Sequence, residues 1–196
     1  MTTQTRQVEV EAGQGDRPLI EALKRDQSAV AFEALLRRYQ RPLFGFLRRQ
    51  SGSRALAEDL FQQTALRIFH GIATCKDPSA FRAWAFGIAA NLCRHEARQQ
   101  RSRDSVSSSV ALEERAGWTR SPEADAQDNQ AREQIASALD ALPESQREVF
   151  VLYHYTHLSY GEIAQAVGAP VGTVKSRMNS ALTQLRTLLA NLGEQP

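Results

Sequence analysis

Six side chains in one short stretch, Thr173, Lys175, Ser176, Arg177, Asn179 and Ser180, combine cations with hydroxyl and amide groups and include no carboxylate. Such a set suits a nucleic acid: Lys and Arg neutralise phosphates, while short polar side chains hydrogen-bond to phosphates or base edges. A second set lies upstream, where Asn91 is followed by Arg94, Arg98, Arg101 and Arg103, opposed only by Glu96. Catalytic chemistry is harder to assemble. His154 and His157 stand three apart with no third ligand nearby, and Cys75 and Cys93 are too few and too widely spaced for a zinc or redox motif. No phosphate loop, nucleophile elbow, Ser-His-Asp set or carboxylate pair can be argued from position. The expectation is a binding protein, not an enzyme, with no metal, cofactor or small-molecule substrate.

The elements that must position these groups are helical throughout. From Ser159, the residues Tyr160, Ile163, Ala164 and Val167 recur at helical spacing, and Gly168 supplies the left-handed residue that ends a helix. Pro170 fits the start of a second helix, in which Val174, Met178, Ala181, Leu182, Leu185 and Leu189 form the apolar stripe and the six polar groups face outward. Two helices across a tight turn fit a major groove, but the spacing equally describes core-packed helices with a solvated basic face. Asn91 and its arginines end a helix whose Phe81, Trp84, Ala85, Ile88, Ala89 and Leu92 point inward.

Upstream, Ser28 caps a helix with Phe32, Leu35, Leu36, Tyr39, Leu43, Phe46 and Leu47 on its buried face. Pro42 should kink or split that helix. Ala55 to Phe69 forms another, with Leu56, Leu60, Ala65, Leu66 and Phe69 inward and Glu58, Asp59, Gln62, Gln63 and Arg67 as a polar ridge. The stretch Gly71 to Ser79, containing Cys75 and Lys76, is a loop by its Asp-Pro and Ser content. After Gln130 the period returns through Ile135, Leu139 and Leu142, then Val149, Phe150, Leu152 and Tyr153.

Between these halves, residues 104–129 hold six acids against Arg115 and Arg120, together with serines, Gly117 and Pro122. That composition predicts a flexible acidic linker, in which Trp118 is the one aromatic residue. The fold class is therefore all-α: a tail over 1–17, a helical domain over 18–103, the linker over 104–129, a helix-turn-helix domain over 130–190 and a short tail over 191–196. A net charge of +2 on 196 residues makes the distribution of charge, not its total, the guide to partners. Met1 to Arg17 lacks the apolar core of a signal peptide, and no apolar run approaches the roughly 20 residues that span a bilayer, so a cytoplasmic location is expected.

Three phrases in the second half are distinctive: Leu142, Pro143 and Arg147 as LPxxxR, Ser159 to Ala164 as SYxEIA, and Val171 to Arg177 as VGTVKSR. With AEDLFQQTALRIF and FRAWAFGIAANLCRHEARQQ upstream, the chain resembles the extracytoplasmic-function (ECF) sigma factors of bacteria over most of its length. The resemblance implies a factor that binds core RNA polymerase and directs it to promoters. Region two would bind polymerase and the −10 element, and region four the −35 element. It further implies that Asp59, Gln62, Gln63 and Arg67 face the clamp helices of the largest polymerase subunit, and that region four meets the flap of the second-largest. Asn91 and the loop with Lys76 would take a flipped −10 base, while Arg94, Arg98, Arg101 and Arg103 follow the adjoining phosphates. Lys175, Ser176, Asn179 and Ser180 would face the −35 element, with Thr173 and Arg177 on phosphates.

Two departures stand out. Gln63 occupies a position where many relatives carry Glu, and Asn179 and Ser180 replace bulkier or charged groups. The family also implies an anti-sigma factor, often held at the inner membrane. Two other readings fit the residues: a transcriptional regulator using only the second domain, and an RNA-modifying enzyme that would need a catalytic constellation not visible in this sequence. Promoter sequence, inducing signal and regulon are not encoded in any legible way.

Overall fold

The computed structural model describes the backbone of residues 3–106 and 126–193 and the side chains of 15–103 and 133–190. Among the described residues there is no strand. In order come α1 (Thr3–Asp26), α2 (Ala29–Ser51), α3 (Arg54–Gly71), two 3₁₀ turns (Ile72–Thr74 and Pro78–Ala80), α4 (Phe81–Val106), α5 (Ala126–Asp140), α6 (Glu144–Thr156), α7 (Tyr160–Val167) and α8 (Val171–Gly193).

Local chemistry sets most boundaries. The Ser28 and Ser53 hydroxyls accept the backbone N–H groups of Ala31 and Leu56, capping α2 and α3, and Gly52 ends α2 at φ 68°. α2 runs unbroken through Pro42, so the expected split does not occur. Buried Leu35, Tyr39, Leu43, Phe46 and Leu47 on both sides of the proline offset the roughly 3 kcal/mol that an interior proline costs. α7 begins with a reciprocal box: the Ser159 hydroxyl accepts the Glu162 N–H, and the Glu162 carboxylate accepts the Ser159 N–H at 2.8 Å. It ends at Gly168, φ 67° and ψ 39°. His157 takes the same left-handed conformation at the end of α6, φ 55°, a position where Gly is the usual choice.

α1 to α4 form a first lobe around Leu35, Leu43, Phe46, Leu60, Phe81 and Phe86, with the Phe46 and Phe86 rings edge to face at 5.7 Å. α5 to α8 form a second lobe. Its Val149, Leu152, Ile163, Val174 and Met178 belong to the same continuous core as the first lobe, and α5 meets α8 through a smaller cluster of Ala138, Leu139, Leu142, Ala181 and Leu185. The lobes meet along α4 with α7 and α2 with α6.

Several expectations change. The segment 1–17 is not all tail: α1 begins at Thr3, and Asp16 is 3% exposed, receiving Arg38 at 2.7 Å and the Tyr39 hydroxyl. A buried carboxylate between a guanidinium and a phenol anchors α1 to α2 at Asp16. Leu66 points out at 59% exposure, because the buried face of α3 is Ala57, Leu60, Thr64 and Ile68. Ile135 and Tyr153 are likewise about two-fifths exposed, at 41% and 39%, while Val151 is buried. α4 and α5 extend a few residues into the 104–129 segment, and Trp118 lies outside the described residues. No helix among the described residues is long and apolar enough to cross a membrane.

Candidate nucleic-acid interface

α8 is anchored by Val174, Met178, Ala181 and Leu185, all buried. That anchoring turns Lys175, Ser176, Asn179 and Ser180 to solvent and leaves Thr173 and Arg177 half-buried at the rim. The first turn of α8 follows Pro170 and presents Val171 at 41% exposure, so the amide-rich start of the helix is open to an anion or a groove.

In the first lobe, the loop before α4 is pinned at both sides of Lys76. The Lys24 ammonium donates to the Cys75 carbonyl, and the buried Cys75 Sγ–H donates to the Asp77 carbonyl at 3.4 Å. Asp77 caps the Pro78–Ala80 turn, accepting the Ser79 N–H at 2.9 Å and its hydroxyl at 2.6 Å, and these bonds hold its carboxyl below the usual range. Lys76 and Asn91 are exposed. Burial pushes the Cys75 thiol up, which leaves it protonated and unreactive near neutrality.

Arg94 is held more tightly than the sequence suggests. Its guanidinium donates to Glu148 Oε1 at 2.6 Å and to the Asn91 amide oxygen. Arg101 pairs with Glu144 and also donates to the Ala97 carbonyl at 3.2 Å. Arg98 is exposed, and Arg103 donates to Gln99 at 3.0 Å. Glu148 is buried, with its side chain only 4% exposed. Desolvation pushes its carboxyl up to about 7, against the opposing pull of Arg94 and Arg177. Cys93, from α4, is pushed up to about 12 by its own burial.

These groups line a cleft of about 460 Å³ between the lobes: Arg94, Arg98 and Arg101 from α4, Glu144 and Glu148 from α6, and Arg177 from α8. The structure thus brings together four of the arginines read from sequence, from both halves of the chain. Lys76, Asn91, Lys175, Ser176, Asn179 and Ser180 do not line that cleft. Glu144 and Glu148 are absent from the sequence reading. Glu144 directly follows Pro143 in the LPxxxR phrase and Glu148 directly follows its Arg147; Arg147 is buried and pairs with Asp140 at 2.9 Å, which gives the phrase a structural role.

Elsewhere on the first lobe, Asp59, Gln62, Gln63 and Arg67 are exposed along one face of α3, with Leu66 among them. The signal for Leu66 was its register, since 59, 62, 63, 66 and 67 fall on one helical stripe. No group of three or more His, Cys, Asp or Glu residues suited to a metal ion is found among the described residues.

Two family models match the chain: Sigma-70 region 2 over residues 35–103 and Sigma-70, region 4 over 132–185. The chain is 36% identical to the ECF RNA polymerase sigma factor EcfG of Rhodopseudomonas palustris over 142 residues, covering 71% of this chain and 74% of that one. It is 33% identical to the RNA polymerase sigma factor CarQ of Myxococcus xanthus over 168 residues, covering 86% and 94%. Among solved structures, it is similar to the sigma factor RpoE in complex with the anti-sigma factor NepR from Bartonella quintana, with a TM-score of 0.71, 26% identity, and 81% and 96% of the two chains covered. It is also similar to CnrH in complex with the cytosolic domain of CnrY, with a TM-score of 0.65, 25% identity, and coverage of 90% and 97%.

Proposed function

The chain belongs to the ECF group of the sigma-70 family, factors that bind RNA polymerase and direct promoter-specific initiation, and from that premise we propose how its two lobes divide the work. The first lobe docks on core polymerase through Asp59, Gln62, Gln63 and Arg67, on the clamp helices of the largest subunit, with Leu66 as an apolar anchor inside the polar ring. On the opposite face, Asn91 and the Lys76 loop hold a base of the −10 non-template strand outside the stack. Arg94, Arg98 and Arg101 hold the adjoining phosphates. Capturing an unstacked base offsets the few kcal/mol of unpairing, so melting needs no nucleotide hydrolysis by this chain and no catalytic site.

The second lobe carries α8 into the −35 major groove. Lys175, Ser176, Asn179 and Ser180 face base edges, and Thr173 and Arg177 hold phosphates. It meets the flap of the second-largest polymerase subunit. The domain limits are 18–103 and 130–190 with the acidic segment between them as a tether. The chain works in the cytoplasm, where polymerase is, and an anti-sigma factor restrains it, as NepR and CnrY accompany the similar chains.

The observation carrying this reading is the presence, on separate lobes of one chain, of an exposed polar ridge around Leu66 on α3 and an outward-facing basic helix α8. Run-off transcription with purified core polymerase on genomic templates tests it. Promoter-dependent transcripts are expected only when the factor is added. No such product, together with tight polymerase-free binding to duplex DNA, would instead identify a regulator that uses the second lobe alone.

A further inference from the structure

α1 lies ahead of the Sigma-70 region 2 match, which begins at residue 35. One stripe of this helix turns inward: Asp16, Ile20 and Leu23 are buried, the latter two at 0% exposure, and Lys24 is half-buried. A polar contact sits at each end of the stripe. Asp16 holds α2 through Arg38 and Tyr39. From the last turn of α1, the Lys24 ammonium donates to the Cys75 carbonyl. α1 also packs against both 3₁₀ turns of the loop before α4. A helix outside the family match thus grips the residue next to Lys76.

Only Cys75, Lys76 and Asp77 separate the two 3₁₀ turns. The Cys75 N–H closes the first turn on the Ile72 carbonyl at 3.1 Å, and Asp77 opens the second through Ser79. Between them the backbone is extended, with ψ 88° at Cys75 and φ −110°, ψ 114° at Asp77. Neighbouring side chains of an extended segment point to opposite sides, so burying Cys75, 2% exposed, turns Lys76 outward. A carbonyl in a surface loop ordinarily bonds water, which fixes nothing. At Cys75 a cation from an anchored helix makes that bond instead, and a charge-assisted bond is a strong one. The same ammonium lies near Asp77, whose carboxyl is held below the usual range chiefly by Ser79 and further by Arg17 and Lys24.

Resting on the assignment of the Lys76 loop to a −10 base, we propose that Lys24 is a positioning residue for promoter opening: by holding the Cys75 carbonyl it sets the conformation in which Lys76 meets the unstacked base. A loop ordered in advance does not draw on binding energy to become ordered when the strand arrives. Without the clamp, capture weakens in proportion to the fraction of molecules whose loop is out of place. Lys24 belongs neither to the α3 ridge nor to the Arg94, Arg98 and Arg101 track on α4. Polymerase docking and the general hold on phosphates are therefore independent of it. What depends on it is the choice of base.

The test uses the full chain assembled with core polymerase and a pool of single-stranded DNA oligomers randomised at their central positions, with sequencing of the bound fraction. Lys24→Met keeps the length of the side chain and removes its charge, whereas Lys24→Arg keeps a donated bond. Wild type and Lys24→Arg should enrich the same base at the captured position, and Lys24→Met should reduce that enrichment by about tenfold. Core polymerase affinity and total retention of the pool should stay within about twofold of wild type in both variants. Hydrogen exchange on the full chain separates a local effect from a general one: in Lys24→Met the amides of 72–80 should exchange faster, while α2 and α3 keep their protection. Unchanged enrichment in Lys24→Met, or equal loss in Lys24→Met and Lys24→Arg, overturns the proposal. So does loss of protection throughout the lobe, which would make Lys24 a residue of the fold alone. If wild type enriches no base at any position, the −10 assignment itself fails, and Lys24 has nothing to position.

Discussion

On α3, Asp59, Gln62, Gln63 and Arg67 stand in solvent around an exposed Leu66, whereas on α4 the cations Arg94 and Arg101 already carry carboxylates from another helix. The first surface has an apolar centre in a polar rim, the usual anatomy of a protein interface, and the fold leaves it bare. The second is built for anions, and the fold supplies anions of its own. The difference follows from cost. A polar ridge loses little by standing in water, while a cluster of like-charged arginines beside an apolar helix face gains from opposite charge and from burial of that face.

The largest effect should come from removing what both surfaces stand on. Phe86 is 0% exposed and edge-on to Phe46, so Phe86→Ala should cost about 3–5 kcal/mol in denaturant unfolding and impair polymerase and DNA binding alike. A smaller loss with normal binding would mean that the lobes do not depend on one core. Leu66→Asp separates the surfaces. It should leave stability within about 0.5 kcal/mol and weaken core polymerase binding by about 2 kcal/mol, read by competition against the wild-type factor. Unchanged affinity would remove Leu66 from the docking face and leave the polar ridge without an apolar anchor.

On α8 the comparison sharpens within a single helix. Arg177→Ala, at the half-buried rim, should weaken −35 duplex binding by about 1 kcal/mol across all sequences and lower the salt slope by about one. Lys175→Ala, fully in solvent, should change which sequences bind. Equal losses on every sequence for both variants would take base reading away from Lys175.

How far these surfaces could be read from sequence depended on how local their causes are. The α7–turn–α8 unit was legible because Ser159, Glu162, Gly168 and Pro170 each act within a few residues of themselves. The buried stripe of α2, and that of α8 as far as Leu185, were legible for the same reason, whereas Leu189, read as part of the α8 stripe, is 38% exposed. Leu66 was misplaced because apolar character outweighed register: the stripe through 59, 62 and 63 places it outside, and the core instead takes the hydroxyl-bearing Thr64, which satisfies itself on the Leu60 carbonyl at 2.7 Å. Asp16 was missed because its partners, Arg38 and Tyr39, lie on another helix. The seam where the lobes meet was hardest to foresee. Ala83, Gly87 and Ala90 follow helical spacing and are all buried, which announces a close helix approach but cannot say that Ala166, nearly eighty positions later, provides it. Glu144 and Glu148 carry no signal as partners of Arg101 and Arg94 until α6 is laid on α4.

The finest distinction lies in the proton balance of the seam. Glu148 faces Arg94 and the neutral thiol of Cys93 from α4, Arg177 from α8 and Glu144 along its own helix, and loss of water outweighs the two guanidiniums, so its carboxyl is pushed up to about 7 from 4.5. An opened seam returns it to water and to the lower value. Closure therefore takes up a proton. Its contribution is complete at pH below about 4.5, declines as pH rises towards 7 and levels off above that, which predicts a closed-to-open ratio about twofold lower at pH 8 than at pH 7. Donor and acceptor dyes on the two lobes would report the ratio. Glu148→Gln should flatten this dependence. A slope of opposite sign in the wild-type chain would mean that Glu148 is charged throughout and that Arg94 and Arg177 dominate the seam, in which case the carboxylate resembles a bound phosphate even more closely.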